Sequence, residues 1–206
     1  MTRYQENMKK KTQIKSLLVM ASGNGSNFEA IVKACHDGEI NAQVTKLISD
    51  NPKAYVFQRA KQLDVVFECI DYKSFPTRSD FEHELLQACL KDEPEYIVLA
   101  GFMKILPKEF IYYFKQRIIN IHPSLLPLYP GTKALEKAWN NKDRVSGVTV
   151  HYVDEGVDTG EIILQRSLNI DYKASYENFC QKMHALEHEV YVEALQKLLN
   201  RSKDSL

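Results

Sequence analysis

The sequence lacks the features that mark membrane-spanning, secreted and nucleic-acid-binding proteins. Its 206 residues contain no apolar run of membrane-spanning length, and the polar residues 1–13 lack the apolar stretch of a secretory signal. Lysine plus arginine and aspartate plus glutamate each total 27, so bulk charge does not indicate binding to nucleic acid. We therefore expect a flexible N-terminal extension over residues 1–13 and one globular domain over residues 14–206.

Paired cysteines are also missing. The four cysteines are scattered and form no CxxC pair, at positions Cys35, Cys69, Cys89 and Cys180. Such spacing favours neither a disulfide framework nor a zinc site, and we expect no metal. Cys69 and Cys89 have apolar neighbours, which predicts that both lie in the core.

Strand-like and helix-like segments alternate over the first two thirds of the chain, a pattern typical of parallel sheets covered by helices. Short apolar segments predict strands at residues 16–21, 44–49, 65–70, 96–100 and 118–122. Helical segments lie between them, and Ser79 is the predicted N-cap of one over Asp80–Lys91.

The pattern changes after residue 123. Gly147–Val153 and Glu161–Ser167 are strand-like and separated only by residues 154–160, so they predict an antiparallel pair. Ser175–Asn200 carries apolar residues at helical spacing. The predicted fold is α/β: a Rossmann-like, mostly parallel sheet flanked by helices, with an antiparallel C-terminal strand pair and a long C-terminal helix.

A glycine-rich loop, Ser22–Asn27, lies between the first predicted strand and helix. Glycines allow tight turns, and free N–H groups at a helix start can bind phosphate. Phe28 replaces the third glycine of a dinucleotide fingerprint, and the Gly-Lys-Ser/Thr of a P-loop is absent. The loop therefore suits a single phosphate better than a dinucleotide or nucleoside triphosphate. A purely structural turn is the alternative.

An asparagine and a histidine end one predicted strand. Asn120 and His122 share a face, because strand side chains alternate, and Pro123 then ends the strand. The carboxyl ends of strands are where open α/β sheets bind ligands. Asparagine can donate to an oxygen that gains negative charge and histidine can carry a proton, so the pair favours acyl-type transfer. A hydrogen-bonded core histidine is the alternative.

One acidic residue, Asp158, lies in the predicted connection between the antiparallel strands. Gly156 and Gly160 flank it closely, so this loop can fold sharply and direct the carboxylate. From the residues alone, however, a simple turn residue is the stronger interpretation of Asp158.

Four motifs occur in an order typical of one enzyme family. They are Ser22-Gly23-Asn24-Gly25-Ser26-Asn27, Leu99-Ala100-Gly101-Phe102-Met103, Asn120-Ile121-His122-Pro123-Ser124-Leu125-Leu126-Pro127 and Val157-Asp158-Thr159-Gly160. Through them nearly the whole chain resembles the phosphoribosylglycinamide formyltransferases. The histidine-containing motif marks formyltransferases in general, and the glycine loop makes the narrower assignment.

The resemblance implies roles for residues at matching positions. The implied catalytic residues are Asn120, His122 and Asp158. The implied phosphate-binding residues are Gly25, Ser26 and Asn27, and the implied glycinamide- and ribose-binding residues are His184 and Glu187. The implied folate-binding residues are Arg78, Met103, Lys104, Ile105, Leu106, Asp154, Glu155, Gly156 and Val157.

The resemblance further implies the reaction and its setting. A formyl group would move from the co-substrate 10-formyltetrahydrofolate to the amine of glycinamide ribonucleotide, in de novo purine biosynthesis. The implied partners are these small molecules, with no nucleic acid and no membrane; the location would be cytoplasmic, and a homodimer is compatible with the family. Two departures stand out: Lys104 replaces the usual arginine, and Thr132–Leu135 stands where relatives often carry histidine.

Alternatives remain at this stage. Without the resemblance, Arg78 and Glu187 would be read as exposed helix charges, and Met103, Ile105 and Leu106 as core. Methionyl-tRNA formyltransferase and formyltetrahydrofolate hydrolase are rival enzymes, and a non-catalytic nucleotide-binding module is a rival of another class. The zero net charge disfavours tRNA, and the short extension leaves little room for the hydrolase's regulatory domain. A module would not need Asn120, His122 and Asp158 to converge.

Overall fold

A computed structural model describes residues 14–199. Its strands are β1 (Lys15–Met20), β2 (Ala42–Ser49), β3 (Phe67–Cys69), β4 (Tyr96–Leu99), β5 (Ile118–His122), β6 (Val145–Tyr152) and β7 (Ile162–Asn169). Its helices are α1 (Ser26–His36), α2 (Val56–Gln62), α3 (Arg78–Asp92), α4 (Lys108–Tyr113), α5 (Ala134–Asn140) and α6 (Tyr176–Leu199), with a 3₁₀ turn at Tyr72–Ser74. The predicted extension over residues 1–13 lies outside the described residues.

The strands form one seven-stranded sheet in the order β3-β2-β1-β4-β5-β6-β7. Strands β1 to β5 pair in parallel, whereas β6 pairs antiparallel with both β5 and β7. The predicted fold class is therefore confirmed: a mostly parallel sheet with an antiparallel pair and a long last helix.

The central strands are buried on both faces, which explains their continuous apolar sequences. Along β1, Leu17 and Val19 pack into one core layer, whereas Leu18 and Met20 pack into the other. Helices α1 and α6 cover the first face, and α3 and α4 cover the second. The layers leave the carboxyl ends of the central strands uncovered, where this fold binds its ligands.

At that edge the loops after β1 and β4 are joined directly. The N–H of Ser22 donates to the carbonyl of Gly101 over 3.1 Å. The Ser22 hydroxyl in turn accepts from the N–H of Met103 over 2.8 Å. The glycine loop is therefore fixed relative to the segment that follows β4.

The last helix is tied to the middle of the sheet by Tyr191. This residue is fully buried, and its hydroxyl lies 3.0 Å from the carbonyl oxygen of Leu99 and 3.1 Å from that of Ile119. One hydroxyl group thus joins α6 to both β4 and β5.

Two local predictions were wrong. Helix α3 begins at Arg78, so Thr77 rather than Ser79 is its N-cap: the Thr77 hydroxyl accepts from the Asp80 N–H, and the Asp80 carboxylate accepts from the Thr77 N–H. Cys69 is exposed, because the short strand β3 forms the edge of the sheet; Cys89 is buried as predicted. Within residues 14–199, no helix has the length and apolar character needed to cross a membrane.

Candidate active site

A cleft of about 760 Å³ opens at the carboxyl ends of β1, β4 and β5. Every residue for which the sequence predicted a role lines this cleft, with the exception of Arg78. Arg78 lines a neighbouring cavity of about 200 Å³, which shares Met103, Lys104 and Ile105 with the cleft. Segments distant in sequence are thus brought to one place.

His122 lies at the end of β5, where its ring is enclosed and only 5% of the residue is exposed. Its Nδ1 lies 3.2 Å from a carboxylate oxygen of Asp158, and its Nε2 lies 2.8 Å from the carbonyl oxygen of Tyr129. Both neighbours are acceptors, so both hydrogen bonds form only when both ring nitrogens carry hydrogen. The His122 ring is therefore held at both of its nitrogens.

Asp158 reaches this ring from the loop between β6 and β7. Its backbone is left-handed (φ 55°), and its Oδ2 accepts the N–H of Gly131 over 2.7 Å. A Cβ at Gly160 would lie 1.8 Å from the carbonyl oxygen of Tyr152, so the tight loop requires glycine there. Burial alone would raise the pKa of Asp158, but the contacts with His151, Gly131 and His122 outweigh burial and lower it. The carboxylate therefore stays ionised.

His151 on β6 completes this group and was missed by the sequence analysis. Its Nδ1 lies 2.8 Å from the carbonyl oxygen of Tyr152, an acceptor, and so carries hydrogen, and its Nε2 lies 3.3 Å from Asn120 Nδ2. The same Nε2 lies 3.6 Å from Asp158 Oδ1. No local sequence pattern marks His151: it stands directly opposite Asn120 only because β6 pairs antiparallel with β5.

Asn120 is oriented by these neighbours. Its Nδ2 lies 3.3 Å from both His151 Nε2 and Asp158 Oδ1, so the amide nitrogen points into the group. An amide donor, an imidazole ring and a carboxylate therefore meet at one wall of the cleft. This combination can stabilise a negatively charged oxygen and transfer a proton beside it.

The glycine loop lies at the other end of the cleft. Gly25 precedes α1 with a left-handed backbone (φ 79°), and no side chain caps the helix. The N–H groups of the first turn thus lack a side-chain acceptor, as expected of a phosphate site. Ser26 and Asn27 lie in the first turn of α1 and line the same end of the cleft.

A buried carboxylate stands beside this loop. Glu187 on α6 is only 7% exposed, so its alternative interpretation as an exposed helix acid was wrong. Its Oε2 accepts from Asn27 Nδ2 over 3.3 Å and lies 3.0 Å from His184 Nδ1. The hydrogen bond with Glu187 raises the pKa of His184, although burial opposes it. Asn27 Oδ1 is buried and has no partner among the described residues.

The segment after β4 forms a third, apolar wall. Met103 and Ile105 are 69% and 64% exposed, so the alternative of plain core residues was wrong for both, whereas Leu106 is buried. Lys104 Nζ lies 3.7 Å from Asp50 Oδ2 and 3.7 Å from the centre of the Tyr72 ring.

The remaining predicted positions frame this wall. Arg78 Nη2 donates to the carbonyl of Ile105 over 3.4 Å, which places the guanidinium at the rim of the smaller cavity. On the opposite side of the cleft, Asp154 Oδ1 accepts from the Gly156 N–H over 3.1 Å. Glu155 pairs with Lys108 over 2.7 Å, and Val157 is half exposed. The apolar wall is therefore flanked by cations on one side and by a hydrogen-bonded acidic loop on the other.

The two departures from the family pattern also border the cleft. Lys104 lines it, as do Thr132, Lys133 and Ala134. Over residues 14–199, no cluster of three or more histidine, cysteine, aspartate or glutamate side chains is arranged to hold a metal ion.

Known proteins resemble this chain along most of its length. The formyl transferase family matches residues 15–195. Phosphoribosylglycinamide formyltransferase of Bacillus subtilis is 40% identical over 186 residues, covering 90% of this chain and 95% of that protein. The trifunctional purine biosynthetic protein adenosine-3 of Drosophila melanogaster is 38% identical over 188 residues, covering 90% of this chain and 14% of that protein.

A solved structure agrees with these sequence matches. Glycinamide ribonucleotide transformylase 1 from Geobacillus kaustophilus superimposes with a TM-score of 0.88 at 39% identity, covering 91% of this chain and all of that chain. The similarity reaches from the first strand into the last helix and includes every segment that lines the cleft.

Proposed function

This chain belongs to the formyl transferase family, and from that premise we propose that it transfers a formyl group from 10-formyltetrahydrofolate to the primary amine of glycinamide ribonucleotide, a step of de novo purine biosynthesis. The observation that carries the proposal is the 3.2 Å contact between His122 and Asp158 beside Asn120. An uncapped glycine loop at the other end of the same cleft supports a phosphate-bearing acceptor.

The proposed reaction joins the amine nitrogen to the formyl carbon and then breaks the bond from that carbon to the folate nitrogen. Between these events the formyl oxygen carries negative charge. Asn120 would donate to this oxygen: both present partners of its Nδ2 lie 3.3 Å away, so these bonds are long and the arriving oxygen can replace one of them.

Proton transfer falls to His122 and Asp158. The amine loses a proton on forming its new bond, and the departing folate nitrogen gains one. Protonated His122 would stabilise the oxyanion and donate toward the departing nitrogen, while Asp158 holds the charged ring by opposite charge and relays the proton lost from the amine.

The other predicted residues would bind the two substrates. Gly25, Ser26 and Asn27 would hold the phosphate, so binding energy far from the chemistry positions the amine. Buried Glu187, which accepts from Asn27, and the exposed His184 beside it would contact the ribose and glycinamide.

The third wall fits a folate in chemical character. The exposed apolar side chains of Met103 and Ile105 suit a flat ring system, and the cations Arg78 and Lys104 suit a carboxylate tail. Leu106 and the loop residues Asp154 to Val157 would close the same pocket. Lys104 keeps the charge of the family's arginine without its planar fork.

One experiment tests the proposal against its rivals. The protein is mixed with 10-formyltetrahydrofolate, with and without glycinamide ribonucleotide, and loss of the formyl group is followed spectroscopically. We expect loss that depends on the amine, with formylglycinamide ribonucleotide as product. Loss without the amine would identify a hydrolase, and loss under neither condition would leave a binding module.

Three further expectations belong to the same proposal. Residues 14–206 would form a single formyltransferase domain, the protein would act in the cytoplasm, and it could form a homodimer. Light scattering on a sizing column measures the last of these.

A further inference from the structure

Arg59 on α2 donates two hydrogen bonds to the glycine loop. Its Nε donates to the carbonyl oxygen of Asn24 and its Nη2 donates to Asn24 Oδ1, each over 2.9 Å. Arg59 does not line the cleft, whereas Asn24 does. Any influence of Arg59 on a bound substrate therefore passes through the loop.

The same helix holds both glycines next to Asn24. The Val56 N–H donates to the carbonyl of Gly23 over 3.1 Å. A Cβ added at Gly25 would lie 2.3 Å from Val56 Cγ2, so helix and loop are in closest contact there. Residues 56 and 59 are three apart and face the same way, so one face of α2 supports three consecutive loop residues.

The guanidinium is itself held in place. Arg59 pairs with Glu29 in the first turn of α1, and its charge lies 5.2 Å from the centre of the Tyr55 ring. Only 21% of the side chain is exposed. A planar fork fixed on both sides can orient the backbone of Asn24 and not merely neutralise nearby charge.

We propose that Arg59 is a positioning residue for the sugar-phosphate substrate. Through its two bonds to Asn24 it sets the backbone that leads into Gly25, and thereby the direction of the N–H groups at the start of α1. This inference rests on the proposed function, because it takes glycinamide ribonucleotide as the phosphate-bearing ligand. It predicts that loss of the fork weakens recognition of the phosphate and leaves the chemical step unchanged.

The central test compares Arg59→Ala and Arg59→Lys with the control Lys61→Ala, which removes a cation from the same helix. Losing two bonds to the loop should raise KM for glycinamide ribonucleotide about 10-fold in both Arg59 variants. The kcat and the KM for 10-formyltetrahydrofolate should stay within about 2-fold of wild type, as should all constants of the control. A lysine variant with wild-type KM would overturn the proposal, because charge alone would then suffice.

A substrate without phosphate separates positioning from general damage. Glycinamide riboside should react with equal kcat/KM in wild type and Arg59→Ala, because this substrate has no phosphate for the glycine loop to bind. An equal loss with both substrates would refute the role of Arg59 in phosphate recognition.

Direct binding keeps the inference testable if the proposed function fails. Calorimetry with ribose 5-phosphate needs no turnover, and Arg59→Ala should weaken that binding about 10-fold relative to wild type. Unchanged affinity in the variant would overturn the inference; absence of formyl transfer with weakened ribose 5-phosphate binding would overturn only the proposed function.

Discussion

The two ends of the cleft are built in opposite ways. At the His122 end, buried side chains satisfy one another, with Asp158 alone contacting His122, His151, Asn120 and the N–H of Gly131. At the Gly25 end, the first turn of α1 has no capping side chain.

The difference separates chemistry from binding. A group that must stabilise a fleeting charge gains from being fixed in advance, because reorganisation during the reaction costs rate. A loop that binds a stable anion can instead keep its donors available until the ligand arrives. Substitutions at the His122 end should therefore lower kcat, and substitutions at the Gly25 end should raise KM for the phosphate-bearing substrate.

The largest effects are expected when the polar side chains at the His122 end of the cleft are removed. Asn120→Ala and His122→Ala should each lower kcat by about 100- to 1000-fold, because each removes a group that acts on the charged transition state. Steady-state kinetics measure the loss, and circular dichroism checks that the fold survives. Activity within a few-fold of wild type in either variant would defeat the assignment.

A subtler change tests whether the carboxylate charge matters. Asp158→Asn keeps an acceptor for the Gly131 N–H but removes the negative charge that lies 3.2 Å from His122 Nδ1, and kcat should fall about 100-fold. Asp171→Asn, which alters a turn acid whose carboxylate accepts the N–H of Lys173, is the control and should leave kcat unchanged. If the two variants behaved alike, Asp158 would have only a structural role.

The binding end can be challenged at Gly25. Gly25→Ala would force a Cβ against Val56 at a left-handed backbone, so the loop must move, and KM for glycinamide ribonucleotide should rise about 10-fold. Gly38→Ala imposes the same backbone strain (φ 76°) with no atom within 4 Å of the new Cβ. This control should lose stability without a change in KM. An equal rise in KM in Gly38→Ala would show that the effect of Gly25→Ala is not specific to the glycine loop.

The smallest expected effect is on stability at low pH. The pKa of Asp158 is lowered in the folded protein, so its stabilising contribution is complete above the unfolded pKa near 3.8 and is lost as pH falls below that value. Wild type should therefore lose more stability than Asp158→Asn between about pH 4 and pH 2. Thermal unfolding at several pH values measures this, and identical pH profiles would contradict the lowered pKa.

Much of this arrangement could be predicted from local sequence. Alternating side chains placed Asn120 and His122 on one face, and two nearby glycines indicated a sharp loop around Asp158. The family resemblance, more than any local pattern, assigned roles to Glu187 and to the apolar wall of Met103 and Ile105.

The remaining features depended on contacts between distant segments. His151 reaches Asn120 only because β6 pairs with β5, and the sequence analysis paired β6 with β7 alone. Arg59 reaches Asn24 across a crossover that no local pattern encodes. The exposure of Cys69 likewise follows from the position of β3 at the sheet edge, since apolar neighbours alone cannot distinguish an edge strand from a central one.

Tyr191 has a consequence for the rotation of the last helix about its own axis. Packing between hydrocarbon side chains alone would let α6 roll by several degrees at little cost, but a hydroxyl bonded to the carbonyls of Leu99 and Ile119 resists such a roll. Glu187 lies four residues earlier on the same face of the helix. A phenol in the interior of the protein thus sets the angle at which a carboxylate one turn away enters the cleft.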